Sequence, residues 1–194
     1  MSENSVKIPL LLRIIFCMSV SFFVSCSGFS VVKSPFPLAF TAAFPPVMSA
    51  AAAAGSILSY ISADDIHMIP YISGTAAVFI SGLIIRKNDA VKRCAAAFTG
   101  CIVFFTGLCI SEGFSLINML AFILAGLVSA VVCYYTICIL YSPKGAAAEM
   151  AVNRPAAAAV CFTAVSVCTP FSFLGIDPGE ILAVFFILVY ARNY

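Results

Sequence analysis

The sequence predicts an all-α protein: a polytopic transmembrane helical bundle of about six full spans, plus a short proline-bracketed half-span and a short C-terminal apolar segment. Composition is the first reason, because 63% of the residues are hydrophobic and only 9% are charged, whereas a soluble domain has about 25% charged residues. The second reason is that the charges cluster and leave long apolar runs, which match a hydrocarbon core about 30 Å thick. The net charge of +2 does not indicate a nucleic-acid partner.

The apolar runs predict one integral membrane domain over residues 1–194. Its segments are 8–32, 36–44, 47–62, 69–85, 94–111, 116–141, 155–174 and 181–191. The second segment is shorter than the hydrocarbon thickness at about 1.5 Å per residue, so it is either a half-helix that ends inside the bundle or a span through locally thinned bilayer. The last segment is marginal for a span. The first segment also resembles a lipoprotein signal with Cys26 as lipid acceptor, although its uncharged run is long enough to be retained as a helix.

The basic residues predict how the chain crosses a bacterial cytoplasmic membrane. Cytoplasmic loops carry an excess of Lys and Arg. The stretch "RKNDAVKR" contains four such residues, Arg86, Lys87, Lys92 and Arg93. Lys7 and Arg13 predict a cytoplasmic N-terminus as well. The chain must therefore cross an even number of times between these two groups.

The stretch "SPFPLAFTAAFPPVMSAAAAAGSIL" (34–58) supplies the extra crossing. It holds four prolines, Pro35, Pro37, Pro45 and Pro46. A helix cannot continue through Pro45–Pro46, because each proline lacks an N–H and clashes with the preceding turn. We therefore predict a short limb over 36–44, a turn at the two prolines and a return helix over 47–62. The alternative is a single span with the N-terminus outside.

Small residues at four-residue spacing are candidates for close helix packing in lipid. They are Ala50, Ala54, Gly55, Ser59, Ala121, Ala125 and Ser129. Packing within the chain is one interpretation, and contact with another subunit is the other.

Nothing in the sequence indicates catalysis, a metal or a cofactor. No Gly-rich phosphate loop, GxSxG or HExxH motif occurs, and the carboxylates are predicted at helix ends or in loops. His67 lies in a predicted outer loop near Asp64 and Asp65, where a solvated loop is favoured over a metal site. The nine cysteines lie in apolar runs without a CxxC pair, and we interpret them as small apolar residues.

The serial order of these features resembles one family. A first span leads into "PFPLAF", then "AAAAGSILSYI", a span closed by basic residues, "EGFSLINMLAFILAGLVSA" and "FLGIDPGEILA". This order, from about Ile14 onward, is similar to the N-terminal membrane region of stage II sporulation protein E. The resemblance implies a membrane anchor that places or oligomerises partners at the membrane or the division septum of a bacterium.

Two departures from that family limit what the resemblance implies. The basic turn that usually follows the short limb is reduced here to Pro45–Pro46. Residues 1–194 do not include the serine phosphatase domain that follows the membrane region in the family, so no catalytic residue is transferred. We therefore expect a truncated, split or standalone anchor without enzymatic activity, whose partners are the lipid bilayer, division-site proteins or further copies of itself.

A second hypothesis comes from a different class of protein. A substrate-binding subunit of an energy-coupling-type vitamin or metal uptake transporter has a similar size and about six helices. In such a subunit "MSAAAAAGS" (48–56) would dock a partner subunit, and the proline-rich limb would line a ligand cavity. The scarcity of polar groups that could orient a ligand weighs against this hypothesis.

Overall fold

A computed structural model describes residues 9–29, 32–62, 67–85, 89–143, 153–168 and 177–192. Within them the chain forms eight α-helices and one two-stranded ladder of two residues per strand. The elements are α1 (Leu10–Cys26), β1 (Gly28–Phe29), β2 (Val32–Lys33), α2 (Pro37–Ala43), α3 (Pro46–Ser62), α4 (Met68–Ile84), α5 (Ala90–Glu112), α6 (Leu116–Leu140), α7 (Arg154–Cys168) and α8 (Pro178–Arg192). The predicted all-helical class is thereby confirmed.

The first apolar run differs most from its predicted extent of 8–32. Helix α1 ends at Cys26, and the chain then turns back through an antiparallel ladder in which Gly28 pairs with Lys33 and Phe29 with Val32. Ser27 stops the helix, since its backbone is extended and its hydroxyl donates to the Val24 carbonyl oxygen at 2.6 Å. A side chain that bonds its own preceding turn competes with helix continuation in this way.

Prolines set the limits of α2. Pro37 occupies its first turn, where the missing N–H would have had no partner in any case. Phe44 leaves the helix with extended backbone, as expected of a residue that precedes a proline. Pro46 then begins α3. The proline pair therefore breaks the stretch where the sequence predicted a turn.

Helices α1 and α3 run in the same direction. Met18 of α1 packs against Gly55 of α3, and further along both helices Cys26 Sγ lies 3.2 Å from Ser59 Oγ. A single continuous span over 37–62 would instead run opposite to α1. The short α2 between them makes the parallel arrangement possible.

The next helices alternate in direction. Pro70 of α4 packs against Gly107 of α5, and Gly74 against Gly100, so residue numbers fall on one helix as they rise on the other. Helices α5 and α6 are antiparallel in the same way, with Phe104 against Phe122 and Cys101 against Ser129. We call the end of the bundle near Arg93 and the start of α1 the Arg93 end, and the opposite end the Glu112 end.

A chain of aromatic rings joins four of the helices. Tyr60 of α3 stacks on Tyr71 of α4 at a centroid distance of 4.1 Å. Tyr71 meets Phe104 of α5 edge-on at 5.4 Å, and Phe104 meets Phe122 of α6 at 5.3 Å. Offset and edge-to-face ring pairs of this kind add to the energy of burial alone. The core of the bundle therefore runs from α3 to α6 around α2.

Among the described residues, two helices are long and apolar enough to cross a membrane, judged by length and composition only. They are α5 with 23 residues and α6 with 25. The other long helices are apolar but shorter, with 17 residues in α1, α3 and α4 and 15 in α7 and α8.

Candidate functional site

Helix α2 is the most completely enclosed element of the described chain. All seven of its residues, Pro37 to Ala43, are buried, and it packs against α1, α3, α4, α5 and α6. A helix this short would not be stable alone, because its few hydrogen bonds do not offset the cost of nucleation. Its surroundings therefore hold it in place.

Arg93 of α5 binds the C-terminal end of α2. Its Nη1 lies 3.1 Å from the carbonyl oxygen of Ala42, 3.0 Å from that of Ala43 and 3.0 Å from that of Phe44. The last carbonyls of a helix have no partner within the helix, and the helix dipole places partial negative charge on them. The buried guanidinium, which is 7% exposed, supplies both the donors and the opposite charge.

The remaining carbonyls at this end of α2 also have partners. Phe44 N–H donates to the Phe40 carbonyl oxygen at 3.0 Å. Ser49 Oγ, from the first turn of α3, donates to the Thr41 carbonyl oxygen at 2.6 Å. Every backbone carbonyl from Phe40 to Phe44 therefore accepts a hydrogen bond, which a buried helix end requires.

Lys92, the neighbour of Arg93, has a different environment. It is exposed, and its Nζ lies 3.2 Å from Asp89 Oδ2. Asp89 caps the N-terminus of α5 by accepting the Lys92 N–H at 3.3 Å. This contact with Lys92 lowers the pKa of the Asp89 carboxyl. Only Arg93 of these two basic residues enters the bundle, because it lies on the face of α5 that also carries Ala97, Gly100 and Phe104.

A second polar cluster lies between α1, α3 and α4. Its buried side chains are Ser21, Ser25, Ser56, Ser59, Tyr71 and Thr75. Ser56 donates to the Ala53 carbonyl oxygen at 2.9 Å, and Thr75 donates to that of Tyr71 at 2.9 Å. Small hydroxyl residues let helix backbones approach closely in lipid. The cluster therefore has the character of a helix-packing face, and its six members include no carboxylate and no basic side chain.

His67 and Glu112 connect two helices at the Glu112 end. His67 Nε2 contacts Glu112 Oε1, so the start of α4 is fixed to the end of α5. His67 is 9% exposed, which differs from the solvated position predicted for it. The sequence placed both residues on the same side, but their separation of 45 residues gave no sign that they would meet.

The residues singled out from the sequence occupy several environments. Pro35, Pro37, Ser59, Gly55, Ala125 and Ser129 are buried, Pro45 and Ala121 are partly buried, and Pro46, Ala50 and Ala54 are exposed. Gly55 and Ser59 line the contact with α1, whereas Ala50 and Ala54 face away from the core. Arg86, Lys87, Asp64 and Asp65 lie outside the described residues.

An apolar groove of about 420 Å³ opens beside α2. Its walls come from α1, α2, α6 and α7, and it includes Phe40 and Phe44 of α2. Its two hydroxyl side chains are bonded within their own helices: Thr136 donates to the Val132 carbonyl oxygen at 2.7 Å, and Thr163 to that of Ala159 at 2.9 Å. The groove therefore offers no free hydroxyl donor to an occupant.

Within the described ranges no group of three or more His, Cys, Asp or Glu residues is placed to hold a metal ion. The nine cysteines are free thiols. The arrangement as a whole can pack, orient and anchor helices. Its charged groups Arg93, Asp89 and Glu112 all form contacts at the ends of helices.

The sequence reasoning missed the role of Arg93, which it treated only as one of four topology-determining residues. A usable signal exists, since Arg93, Ala97, Gly100 and Phe104 recur at the helical period, whereas Lys92 is out of phase with them. A charged residue that continues a helix face of small residues indicates that its side chain points toward a neighbouring helix.

No family model, no curated protein and no solved structure matches this chain.

Proposed function

We propose that the chain is a non-catalytic, multi-pass protein of the bacterial cytoplasmic membrane, in which six helices cross fully, α2 enters as a half-span and α8 lies at the end. One observation carries this proposal: large apolar side chains cover the outside of the described bundle, while several hydroxyl side chains are buried within it. Ile110 and Ile117 are 83% and 77% exposed, while Ser21, Ser25 and Ser129 are fully buried. Soluble proteins rarely expose apolar surface so widely.

The lengths of the helices are compatible with six spans. About 17 to 25 residues reach across the hydrocarbon core, and α1, α3 and α4 stand at the lower limit with 17 each. Helix α7 has 15 described residues, and the apolar run continues to residue 174 outside the described range. Shorter helices are accommodated by local thinning of the bilayer.

The charges support an orientation with the Arg93 end in the cytoplasm. Arg13, Lys92 and Arg93 lie at this end, and Glu112 and His67 at the other. Basic residues gather on the cytoplasmic side of membrane proteins. The parallel α1 and α3, with α2 between them, are compatible with a cytoplasmic N-terminus and an external turn at Lys33.

Labelling of single cysteines tests this topology. In a chain whose native cysteines are replaced, a cysteine at position 33 or 64 is expected to react with an impermeant reagent from outside intact cells. A cysteine at position 45 is expected to react only after the cells are opened, or not at all. Labelling of position 33 from the cytoplasmic side alone would overturn the half-span arrangement.

Within the membrane, we propose that the protein acts as an anchor that places or oligomerises partners, as the resemblance to the membrane region of stage II sporulation protein E implies. Supporting this, the polar groups of the described interior are used for helix packing and helix capping. Exposed Ala50 and Ala54 leave one face of α3 available to a second copy or to a division-site protein.

A fluorescent fusion in an endospore-forming bacterium tests the anchor role. The fusion is expected to concentrate at the asymmetric septum during early sporulation and to crosslink through Ala54→Cys on α3. Uniform fluorescence over the whole membrane, with no crosslinked species, would contradict the role while leaving the topology intact.

The apolar groove favours a second candidate, the substrate-binding subunit of an energy-coupling-type transporter. Its volume falls within the range of about 300 to 1,000 Å³ that is usual for small-molecule sites. Such sites also contain a few polar groups that orient the ligand, and both threonines here are bonded within their own helices. Co-purification of a vitamin or a metal ion would favour this candidate over the anchor.

A further inference from the structure

We propose that the groove beside α2 is a lipid site: it holds one acyl chain of an anionic phospholipid, whose headgroup lies at Arg13. This inference rests on the proposed membrane topology and goes beyond it, because it assigns a ligand to a surface that the anchor role leaves without one.

The lining of the groove selects a hydrocarbon chain. Phe40 and Phe44 of α2 line it as a stacked pair with centroids 5.9 Å apart. Phe16 and Val20 of α1 also line it, as does Ala164 of α7. The hydroxyls of Thr136 and Thr163 are occupied by their own helices, so a ligand that needs hydrogen bonds would lose those it makes with water.

The groove penetrates deeper than the general surface that lipid covers. Phe40 is only 5% exposed, so a chain that reaches it lies below the outer surface of the bundle. Nearby, Phe36 meets Phe162 of α7 edge-on at 5.0 Å, which ties α7 to the start of α2. An acyl chain in the groove is thus held on several sides, whereas a chain at the outer face touches one side only.

Arg13 supplies the charge complementarity. It is exposed, and it precedes Phe16 by three residues and Val20 by seven on α1, a spacing that places all three on one face of a helix. It therefore lies one turn beyond the groove, toward the Arg93 end. That end is cytoplasmic in the proposed topology, and the cytoplasmic leaflet carries anionic lipids that attract basic residues near the surface.

The test uses the full chain purified in mild detergent and exposed to phosphatidylglycerol with a photoactivatable acyl chain, with phosphatidylcholine of the same chain as the comparison. The expected result is one retained phosphatidylglycerol per protein, crosslinked to α2, α6 or α7 residues of the groove. Crosslinks spread over the outer faces of α5 and α6, or equal retention of the two lipids, would overturn the proposal.

Matched variants make the test specific. Ala164→Phe fills the groove and is expected to abolish retention, whereas Ala158→Phe, at an exposed position of the same helix, is expected to retain the lipid. Arg13→Gln is expected to weaken phosphatidylglycerol retention about fivefold and to leave phosphatidylcholine unchanged. Thr163→Val is expected to have no effect, and a loss of lipid in that variant would show that the occupant uses a hydroxyl.

The crosslink map of the unaltered chain decides the question even if Ala164→Phe fails to fold. A failure of this proposal is also distinguishable from a failure of the proposed function. Cysteine labelling at positions 33, 45 and 64 can support the topology while the lipid crosslinks fall outside the groove, and in that case only the lipid site is refuted.

Discussion

Helices α2 and α8 are both apolar and both short, yet they occupy opposite places in the molecule. Every residue of α2 is buried, and its C-terminal carbonyls are bound by an arginine from another helix. In α8, Ile187 and Leu188 are 66% and 62% exposed, and the helix contacts chiefly α7. The difference teaches that apolar composition alone does not identify the helices of the core. A core helix is identified by how many other helices it contacts and by whether the backbone groups at its ends have hydrogen-bond partners.

Among the substitutions that test this comparison, removal of the Arg93 side-chain charge is expected to lower the stability of the protein most. Arg93→Met leaves the carbonyl oxygens at the end of α2 buried without donors, and hydrogen bonds to charged groups contribute about 1.5 to 3 kcal/mol each. We expect the free energy of unfolding in mixed micelles to fall by about 3 kcal/mol.

Lys92→Met is the matched control for Arg93, because Lys92 is adjacent but exposed and contacts only the helix-capping Asp89 in the described structure. It is expected to change the unfolding free energy little. If both variants unfolded at the same denaturant concentration, Arg93 would not be what holds α2 in the bundle.

A substitution that forces α1 away from α3 is expected to cause the next largest loss of stability. A Cβ at Gly55 would overlap the backbone carbonyl oxygen of Met18, and backbone atoms cannot move aside as a flexible side chain can. Gly55→Ala is therefore expected to destabilise the protein by about 2.5 kcal/mol, toward the upper end of the range for overpacking.

Gly82→Ala provides the comparison for Gly55 and has the opposite expected sign. Nothing lies within 4 Å of a Cβ at Gly82, and alanine is favoured over glycine in a helix by up to about 1 kcal/mol. Thermal unfolding of the two variants checks the prediction, which fails if Gly55→Ala is tolerated as well as Gly82→Ala.

A pair of leucines compares α2 and α8 directly. Leu38 of α2 is fully buried, and Leu188 of α8 is 62% exposed. Leu38→Ala is expected to cost about 2 kcal/mol, the lower end of the range for buried leucines, because in the proposed membrane setting the loss is of packing contacts rather than of transfer from water. Leu188→Ala is expected to leave unfolding unchanged, and a comparable loss would mean that α8 is part of the core.

Loss of the contact between His67 and Glu112 is expected to reduce stability least. A double-mutant cycle with His67→Ala and Glu112→Ala isolates the coupling between the two side chains. We expect about 1 kcal/mol, since Glu112 retains 38% of its side-chain exposure and partly exposed pairs are weakened by solvent. Additive effects of the two substitutions would show that the contact does not stabilise the joining of α4 to α5.

Much of the fold could be predicted from charges and prolines. The clusters of charged residues separate the helices, and Pro45–Pro46 marks the break between α2 and α3, because a proline pair cannot lie within a continuous helix. The first segment was predicted too long, since "VSCSGFSVV" (24–32) stays apolar enough to pass for a helix while Ser27 ends it.

The candidate site was harder to predict for a physical reason. In a membrane protein, side chains that face lipid and side chains that face the core are both apolar, so hydropathy does not separate α2 from α8. Arg93 and Lys92 contribute equally to a count of positive charge, and only the helical phase relative to Ala97 and Gly100 distinguishes them. Contacts between residues far apart in the chain, such as that of His67 with Glu112, have no local signal in the sequence.

The hydrogen bonds of Arg93 also impose an order of events during synthesis. They join residues 49 to 51 positions apart, so the carbonyls of Ala42, Ala43 and Phe44 lack this donor when their own segment leaves the ribosome. Two further helices, α3 and α4, must be made before the guanidinium arrives. In the proposed membrane topology, α2 is therefore expected to reach its final depth only after α5 has been inserted. Helix α2 would then be one of the last parts of the core to take its final position, although it is among the first to be made.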